Sequence, residues 1–391
     1  MKLAFITDSH FDQHSRFEEC VRVHQWIADD ARERGCSVTL LGGDMFESKS
    51  TAEERNAVAD WIRRLAAFSN VVGVYGNHDY QSANGGDLDI FGGLATREGV
   101  SFISAPCVYG CYMDEIVGVA CLPWPRRANL LAAAGAPTRD ASNQVAREAM
   151  QTVLRQLGTQ LREFGDRPKL FLGHVQTRGS RVSSGQELVG CDFELGLEDL
   201  SLVGADFYAL GHIHLAQEWR IGDAPVVYGG SPHRCNFGET EDKSYTVIEF
   251  DGPRLVSWER VSTPCTPMLM TEATWVPGRS EFDWHPSQLG NGVFSEPFEA
   301  RFRYRVEQAH REAARIDATL YTSLLRSYGA VSVKVEEQVI QTTRARAPEV
   351  GIARTTRDKL EAHWRSRGFE PGERRGALVG KLTELEDGDP G

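Results

Sequence analysis

Seven side chains that can bind metal ions follow apolar runs in this 391-residue sequence. They are Asp8, His10, Asp44, Asn77, His174, His212 and His214. Carboxylate, amide and imidazole groups suit divalent cations such as Mn²⁺, Fe²⁺ and Zn²⁺. A carboxylate has two oxygens, so Asp44 can bridge two cations, and such a pair activates water for attack on phosphorus. The residues therefore predict a dinuclear site that hydrolyses phosphate esters.

We predict two ligand groups that share Asp44. The first group is Asp8, His10, Asp44 and His214, and the second is Asp44, Asn77, His174 and His212. His78 lies in the segment Gly76-Asn77-His78-Asp79, and the chain turns there, so it is expected to face the substrate. In that position it would stabilise the transition state and protonate the leaving oxygen. We predict that Asp79 holds the His78 ring in its working tautomer.

Apolar, β-branched runs before these motifs predict buried strands. The runs cover residues 2–7, 37–42, 70–75, 168–172 and 206–210. The first three alternate with helical patterns, which implies parallel strands with right-handed crossovers. Ligands collect beyond the carboxyl ends of strands in open α/β sheets. Five strands would therefore deliver their polar residues to one place.

Local patterns predict the remaining elements. A first helix is expected from Ser15 to Arg34, with a capping box of Ser15 and Glu18, and a second begins with a capping box of Thr51 and Glu54. One hairpin is predicted from strands at 216–221 and 225–229, and another from strands at 244–250 and 254–261. In the C-terminal part we predict a linker at 277–298, strands at 300–306 and 330–336, and helices at 307–327 and 355–367. We assign both hairpins to a second sheet that packs on the first.

The composition is that of an ordinary soluble globular protein, with 41% apolar and 25% charged residues. A net charge of −12 excludes a generic binder of polyanions. The eight cysteines form no Cys-x-x-Cys pair, which predicts reduced thiols in a cytosolic protein. No run approaches the length of a membrane span, so we expect a cytoplasmic location without membrane contact.

Together the motifs resemble the calcineurin-like metallophosphoesterase superfamily. The resemblance rests on Asp8-x-His10, Gly43-Asp44, Gly76-Asn77-His78-Asp79, Gly173-His174 and Gly211-His212-x-His214, within residues 1–250. It implies a four-layer α/β/β/α sandwich with a small C-terminal α/β capping domain. It also implies a dinuclear metal site with the two ligand groups given above.

A narrower resemblance is to SbcD-type subunits of DNA repair nucleases. It rests on Asp8-Ser9-His10-Phe11, Gly43-Asp44-Met45-Phe46, Tyr228-Gly229-Gly230-Ser231-Pro232 and Phe237-Gly238-Glu239. It implies cleavage of DNA phosphodiester bonds with two Mn²⁺ ions, an SbcC-type coiled-coil ATPase as partner, and a homodimer. The implied domains are a nuclease domain at 1–265, a capping domain at 266–345, and docking helices with a flexible tail at 346–391. Asp12 and Glu47 depart from the family, which has Gly and Asp there.

Three functions fit the motifs. The first is a DNA nuclease subunit, the second a phosphodiesterase or phosphatase for a small or protein substrate, and the third a DNA-end-binding scaffold. A small-substrate enzyme does not need the C-terminal extension, and a scaffold does not need a complete ligand set. Predicted contacts to DNA phosphates are Arg126, Arg127, Arg178, Arg181 and Arg234.

Overall fold

The structure is a computed structural model that describes residues 1–80, 86–93, 99–112, 116–133, 142–184, 186, 194–284, 297–314, 316–340, 355–367 and 372–387. Two six-stranded sheets form its body. The first has the strand order β14 (Arg254–Ser262), β13 (Ser244–Asp251), β1 (Lys2–Ile6), β2 (Cys36–Leu41), β3 (Asn70–Val74) and β4 (Val100–Ile103). The second has the order β11 (Gln217–Ile221), β12 (Ala224–Tyr228), β10 (Phe207–Gly211), β7 (Lys169–His174), β6 (Ile116–Leu122) and β5 (Cys107–Tyr112).

The strands that precede the predicted ligands run parallel to one another within each sheet. β1 pairs with β2 and β2 with β3 in the first sheet, and β7 pairs with β10 in the second. Two short strands, β8 (Gln176–Thr177) and β9 (Glu194–Leu195), form a separate parallel pair. The carboxyl ends of β1, β2 and β3 lie at one edge of the first sheet, and those of β7 and β10 at one edge of the second.

Helices cover the outer face of each sheet. The α-helices of the described residues are α1 (Phe17–Glu33), α2 (Ala52–Ala66), α3 (Arg127–Ala133), α4 (Ser142–Arg162), α5 (Leu197–Leu200), α6 (Ala318–Ser327), α7 (Thr356–Ser366) and α8 (Arg375–Asp387). Leu3 of the first sheet and Leu170 of the second share one buried cluster, so the sheets pack face to face. Val23 of α1 and Trp61 of α2 pack on the first sheet, and Leu154 of α4 packs on the second. The predicted α/β/β/α sandwich is confirmed.

The first helix begins two residues later than predicted. Arg16 occupies its cap position with φ 54°, and no side chain caps the helix. The predicted capping box of Ser15 and Glu18 is therefore wrong, because Arg16 and not Ser15 occupies the cap position. The guanidinium group of Arg16 pairs with Glu19. On α2 the predicted box is confirmed, because Thr51 Oγ1 accepts from the amide of Glu54 at 3.3 Å and Glu54 Oε2 accepts from the amide of Thr51 at 2.7 Å.

The hairpin of β13 and β14 belongs to the first sheet, which corrects its assignment to the second. β13 pairs antiparallel with β1, with Leu3 opposite Ile248. β2 occupies only one side of β1, so the hairpin completes the hydrogen bonds of the other side. The hairpin of β11 and β12 does lie in the second sheet, as predicted.

The C-terminal part of the chain adds a small sheet. Its strand order is β16 (Glu281–Asp283), β15 (Met268–Val276), β17 (Phe298–Glu307) and β18 (Ala330–Ile340). The predicted linker at 277–298 thus includes a strand, and its residues 285–296 lie outside the described residues. The helix predicted at 307–327 is shorter, since Gln308–His310 is a 3₁₀ turn and α6 follows it. The basic helix predicted at 355–367 is α7.

Two compact units divide the chain. The first comprises Met1–Thr271, Leu289–Arg301 and Thr322–Lys334, and the second Glu272–Gln288, Phe302–Tyr321 and Val335–Gly391. The predicted domain boundaries at 265 and 345 stay predictions. Among the described helices, none is both long enough and apolar enough to cross a membrane.

Candidate metal centre

The predicted ligands lie on loops that leave five strands of the two sheets. Asp8 and His10 follow β1, Asp44 follows β2, and Asn77 follows β3. Backbone hydrogen bonds tie the first two loops together, from the Asp8 amide to Gly43 O at 3.1 Å and from the His10 amide to Asp44 O at 3.0 Å. The remaining ligands come from the second sheet and are His174 at the end of β7 and His212 and His214 after β10.

Four of these ligands have left-handed backbone conformations. Their φ angles are 54° at Asp8, 43° at His10, 50° at Asp44 and 102° at His212. Each such residue costs about 1–3 kcal/mol, and such conformations persist where surrounding structure over-determines them, often at functional sites. The fold therefore holds these side chains in positions that an isolated chain would rarely adopt.

Two glycines allow the ligand loops to approach closely. A Cβ atom at Gly76 would lie 2.1 Å from Asp44 Oδ1. Gly43 has φ 94°, and a Cβ atom there would lie 2.6 Å from His174 Nδ1. Only glycine fits at either position without moving a predicted ligand.

The first predicted ligand group is assembled. Ligand atoms of Asp8, His10 and His214 all lie within 4.8 Å of one another. His10 Nε2 lies 3.0 Å from His214 Nε2 and 3.9 Å from Asp44 Oδ2. The structure therefore brings all four members of this group together.

The second predicted ligand group is assembled beside the first. His174 Nε2 lies 3.2 Å from Asp44 Oδ2 and 3.1 Å from Asn77 Oδ1. His212 Nδ1 lies 3.0 Å from the same Asn77 oxygen. Asp44 contacts both groups, which is the position that a bridging carboxylate requires.

The hydrogen-bond partners of the imidazoles show that these residues fit cations. His10 Nδ1 lies 2.6 Å from Glu47 Oε2, and His214 Nδ1 lies 3.1 Å from Glu239 Oε1. Each Nδ1 therefore carries a proton for its carboxylate, and in the neutral rings two Nε2 lone pairs face each other. Such opposed acceptors are stabilised by a cation between them. Likewise, His174 Nδ1 lies 2.7 Å from Gly42 O, which directs its other nitrogen at the oxygens of the second group.

The carboxylates around His10 and His174 favour positive charge on these two rings, whereas burial and the charge of His174 lower the pKa of His212 to about 3. Burial lowers the pKa of His10, but the hydrogen bond to Glu47 and the charge of Asp44 outweigh it and raise the pKa to about 9. Burial also lowers the pKa of His174, and Asp44 again raises it to about 9. Burial opposes ionisation of Asp44 itself, yet His174 and His10 hold its pKa well below the usual range. Protons and metal cations therefore compete for the same atoms.

Asp79 does not hold the His78 ring, which corrects that prediction. Its carboxylate accepts from the amides of Asp44, Met45 and Gly76 at 2.8, 2.9 and 2.8 Å. The ring of His78 has a different partner, because its Nδ1 lies 2.5 Å from the backbone oxygen of Glu47. Asp79 thus positions the two loops that carry Asp44 and Asn77.

Several residues support the ligands in a role that was not predicted from the sequence. Glu47 and Glu239 contact histidines of the first group, and Lys243 Nζ lies 2.8 Å from Glu239 Oε2. Gln186 Nε2 donates to His212 O at 2.7 Å, and its Oε1 accepts from the His214 amide at 3.1 Å. Only the Phe237-Gly238-Glu239 motif could have directed attention to Glu239.

A cleft of about 350 Å³ opens over the assembled groups. His10, Asp44, Asn77, His212 and His214 line it, and His78 lines it from the loop after β3. Six of the nine predicted catalytic and metal-ligating residues therefore face one opening. The other three, Asp8, Asp79 and His174, are buried and do not line the cleft.

The five arginines predicted to contact DNA differ in their placement. Arg234 is buried, and its guanidinium group donates to the backbone oxygens of Glu239 at 3.0 Å and Glu241 at 2.8 Å. Its prediction as a DNA contact is therefore wrong, because a group committed to buried oxygens does not reach a phosphate. Arg178 forms ion pairs with Glu198 and Asp199. Arg126, Arg127 and Arg181 stay predictions; Arg126 lies over the ring of Tyr80 and Arg181 is exposed.

Comparison with known proteins places this site in a family. The SbcD subunit of the nuclease SbcCD from Escherichia coli is 25% identical over 282 residues, 68% of this chain and 69% of that protein. The protein of the same name from Bacillus subtilis is 22% identical over 285 residues, 67% of this chain and 69% of that protein. The "DNA double-strand break repair protein Mre11" of Methanopyrus kandleri is 36% identical over 66 residues, 15% of each chain.

The family model described as calcineurin-like phosphoesterase matches residues 1–216, which is more than half of the chain and includes every predicted ligand. The predicted resemblance is therefore confirmed, and with it the expectation of a phosphoesterase that uses divalent metal ions. This chain belongs to the calcineurin-like phosphoesterase family.

Proposed function

We propose that this chain is the nuclease subunit of a DNA repair complex and hydrolyses DNA phosphodiester bonds in a reaction that depends on divalent metal ions. The observation that supports this most is the double ligand cluster that meets at Asp44, with Asp44 Oδ2 3.2 Å from His174 Nε2 and 3.9 Å from His10 Nε2. The relatives named above are nucleases or repair proteins, which favours DNA as the substrate.

Two divalent cations are proposed for the site. The residues that would hold them are Asp8, His10, Asp44 and His214 for one and Asp44, Asn77, His174 and His212 for the other. When bound, such a pair supplies Lewis-acid activation of water and neutralises charge on the phosphoryl group. The ligand atoms are oxygen and nitrogen only, which suits Mn²⁺, Fe²⁺ and Zn²⁺ alike. We propose Mn²⁺ because the resemblance to SbcD-type nucleases implies it.

His78 is proposed as the general acid. It lines the cleft, and its ring centroid lies 5.1 Å from that of His10. The carbonyl of Glu47 accepts from Nδ1, so the protonated ring would deliver its second proton from Nε2 to the leaving oxygen. The contact fixes the ring plane and would stabilise the positive charge that this role needs.

The partners of the complex are proposed from the relatives. Two of them are named as one subunit of the SbcCD nuclease, so we propose an SbcC-type coiled-coil ATPase as the partner of this chain. Residues 346–391 are proposed as the docking segment, in which α7 carries Arg357, Lys359 and Arg365. A homodimer and a capping role for residues 266–345 belong to the same proposal.

Cleavage of linear duplex DNA by the full chain tests the function. With Mn²⁺, and with and without an SbcC-type ATPase, we expect release of nucleotides that chelation abolishes and Mn²⁺ restores. His78→Ala should keep both ions, measured by mass spectrometry of bound metal, and lose cleavage by about 10²–10⁴-fold. His310→Ala, in the second unit, is the matched control and should change neither.

Three outcomes would count against parts of the proposal. Fully metal-loaded protein that hydrolyses bis-p-nitrophenyl phosphate but never DNA would favour a phosphodiesterase for small substrates. Undiminished cleavage by His78→Ala would remove His78 from its proposed role. A truncation that lacks residues 346–391 and still captures the ATPase would place docking elsewhere.

A further inference from the structure

A second, smaller pocket lies beside the metal centre. Its volume is about 220 Å³. It is lined mostly by apolar groups, among them Tyr80, Pro106, Trp124, Pro125, Leu130 and Val153. Of the described residues that line it, Arg126 alone carries a charge. The pocket is formed by the segments that follow β3, β4 and β6, together with α3 and α4.

Trp124 forms a wall between this pocket and the metal ligands. Its ring centroid lies 4.6 Å from that of His212 and 5.8 Å from that of His174. Its amide donates to Tyr75 O at 2.8 Å, just before the loop that carries Asn77. A molecule in the pocket would therefore be one indole ring away from the second ligand group.

The walls of the pocket are suited to a flat aromatic ring. The hydroxyl of Tyr80 donates to Ser104 O at 2.9 Å, which fixes the phenol ring. The guanidinium carbon of Arg126 lies 5.1 Å from the centroid of that ring. Aromatic rings beside a guanidinium group are the combination on which proteins stack the bases of single strands.

The size of the pocket limits its occupant. Sites for drug-sized ligands have volumes of about 300–1,000 Å³, so a cavity of about 220 Å³ fits a single ring system rather than a peptide segment. We propose that the pocket formed by Tyr80, Trp124 and Arg126 binds one nucleobase of the strand whose phosphodiester is cleaved at the adjacent metal centre. This inference rests on the proposed nuclease function and adds a site that recognises the base.

A scan with abasic nucleotides tests the pocket. Single-stranded oligonucleotides carry one abasic residue at successive positions around the scissile bond, and KM and kcat are measured for each. In the wild-type protein one position should raise KM about tenfold, as expected from the loss of one stacked base. Hydrolysis of bis-p-nitrophenyl phosphate, which has no nucleobase, serves as the reference for the metal centre.

Val153→Trp fills the pocket, and Thr152→Trp is its matched control. Thr152 is the exposed neighbour of Val153 on α4 and does not line the pocket. We expect KM for intact DNA to rise about tenfold in Val153→Trp, and its abasic penalty to disappear. Thr152→Trp should retain the penalty. Tyr80→Leu, which removes one ring, is a second variant in case Val153→Trp melts at a lower temperature or loses metal.

The outcomes separate the pocket from the proposed function. If the wild-type protein cleaves DNA without any abasic penalty, or if Val153→Trp keeps the penalty, the pocket does not bind a base although the nuclease proposal stands. If the wild-type protein cleaves no DNA, the nuclease proposal fails, and calorimetry then compares dAMP with 2-deoxyribose 5-phosphate. Tighter binding of dAMP by the wild-type protein than by Val153→Trp would still support the pocket, and equal affinities would overturn it.

Discussion

Glu239→Gln should weaken cation binding by the first ligand group. The carboxylate of Glu239 is fully buried, with one oxygen 3.1 Å from His214 Nδ1 and the other 2.8 Å from Lys243 Nζ. It also accepts from the amide of Cys235 at 2.9 Å. A carboxylate behind a metal-ligating histidine fixes its tautomer and raises its basicity, and loss of such a partner costs about 10–100-fold in metal affinity.

The same variant should lower the stability of the protein. Burial opposes ionisation of Glu239, but the hydrogen bond to His214 and the charge of Lys243 lower its pKa from 4.5 to about 2. At 1.36 kcal/mol per pKa unit, the folded protein favours this carboxylate by about 3 kcal/mol. Because the folded pKa lies below the unfolded value, this contribution is complete above pH 4.5 and is lost as the pH falls towards 2. Lys243 retains a contact of 2.9 Å to Glu241, which moderates the loss.

Glu241→Gln provides the matched control for this experiment. Glu241 contacts Lys243 and Ser183 but not His214. We expect Mn²⁺ titration by calorimetry to show at least a tenfold weaker binding step in Glu239→Gln and none in Glu241→Gln. We also expect a melting temperature lower by about 4 °C in Glu239→Gln, from an unfolding entropy of about 2.1 cal/mol/K per residue over the 391 residues. Equal Mn²⁺ affinities of the two variants would refute the proposed action of Glu239 through His214.

Three further predictions follow from the corrected or buried residues. Asp79→Asn should lower Mn²⁺ affinity at least tenfold, because the carboxylate of Asp79 holds the ligand loops. A lower kcat with full metal binding would instead support the original prediction that Asp79 orients His78. Burial and the nearby His233 lower the pKa of His24 from 6.5 to about 3, so the protein loses stability as the pH falls below 6.5, by about 2 kcal/mol at pH 5. His24→Leu should flatten this decline in thermal melts, and parallel slopes for the two proteins would contradict it. Arg234→Met should destabilise the fold by about 3 kcal/mol and leave the salt dependence of DNA binding unchanged. A shallower salt dependence with unchanged stability would show instead that Arg234 contacts a DNA phosphate.

The strands and their polar ends could be predicted from the sequence because two patterns agree there. Each predicted run is apolar enough to be buried on both faces, as Phe207–Gly211 is, and Asp, Asn or His follows within two residues of its end. Parallel strands deliver such residues to one edge, so no long-range information was needed to expect that they meet. Their assignment as metal ligands stays a prediction.

The placement of the hairpin of β13 and β14 could not be predicted in the same way. Ser244–Asp251 is as buried as the strands of either sheet, so its hydrophobic pattern fits both. Its position follows from β1, which lacks a partner on one side until β13 supplies it. A run of apolar residues shows that a strand is buried but does not identify the neighbour with which it pairs.

The roles of Asp79 and Arg234 depended on information that the sequence does not contain. Asp79 is adjacent to His78 in the chain, but the backbone turns so that its carboxylate meets the amides of Asp44 and Met45, 35 and 34 residues away in sequence. Arg234 was predicted to be a surface cation, but the chain after it folds back so that the backbone oxygens of Glu239 and Glu241 accept from its guanidinium group. In both cases a charged group satisfies buried backbone atoms, and that need arises only once the loops have closed over the site.

The supporting carboxylates also give the two ligand groups different properties. Both histidines of the first group have a carboxylate behind them, Glu47 for His10 and Glu239 for His214. In the second group, the partner of His174 Nδ1 among the described residues is the carbonyl of Gly42. A carboxylate partner makes the other nitrogen of an imidazole a more basic metal ligand than a carbonyl partner does. The first group should therefore hold its cation more tightly. The ligand residues alone would suggest two equivalent sites, and the difference between them comes from Glu47 and Glu239, which are not themselves in the predicted ligand groups.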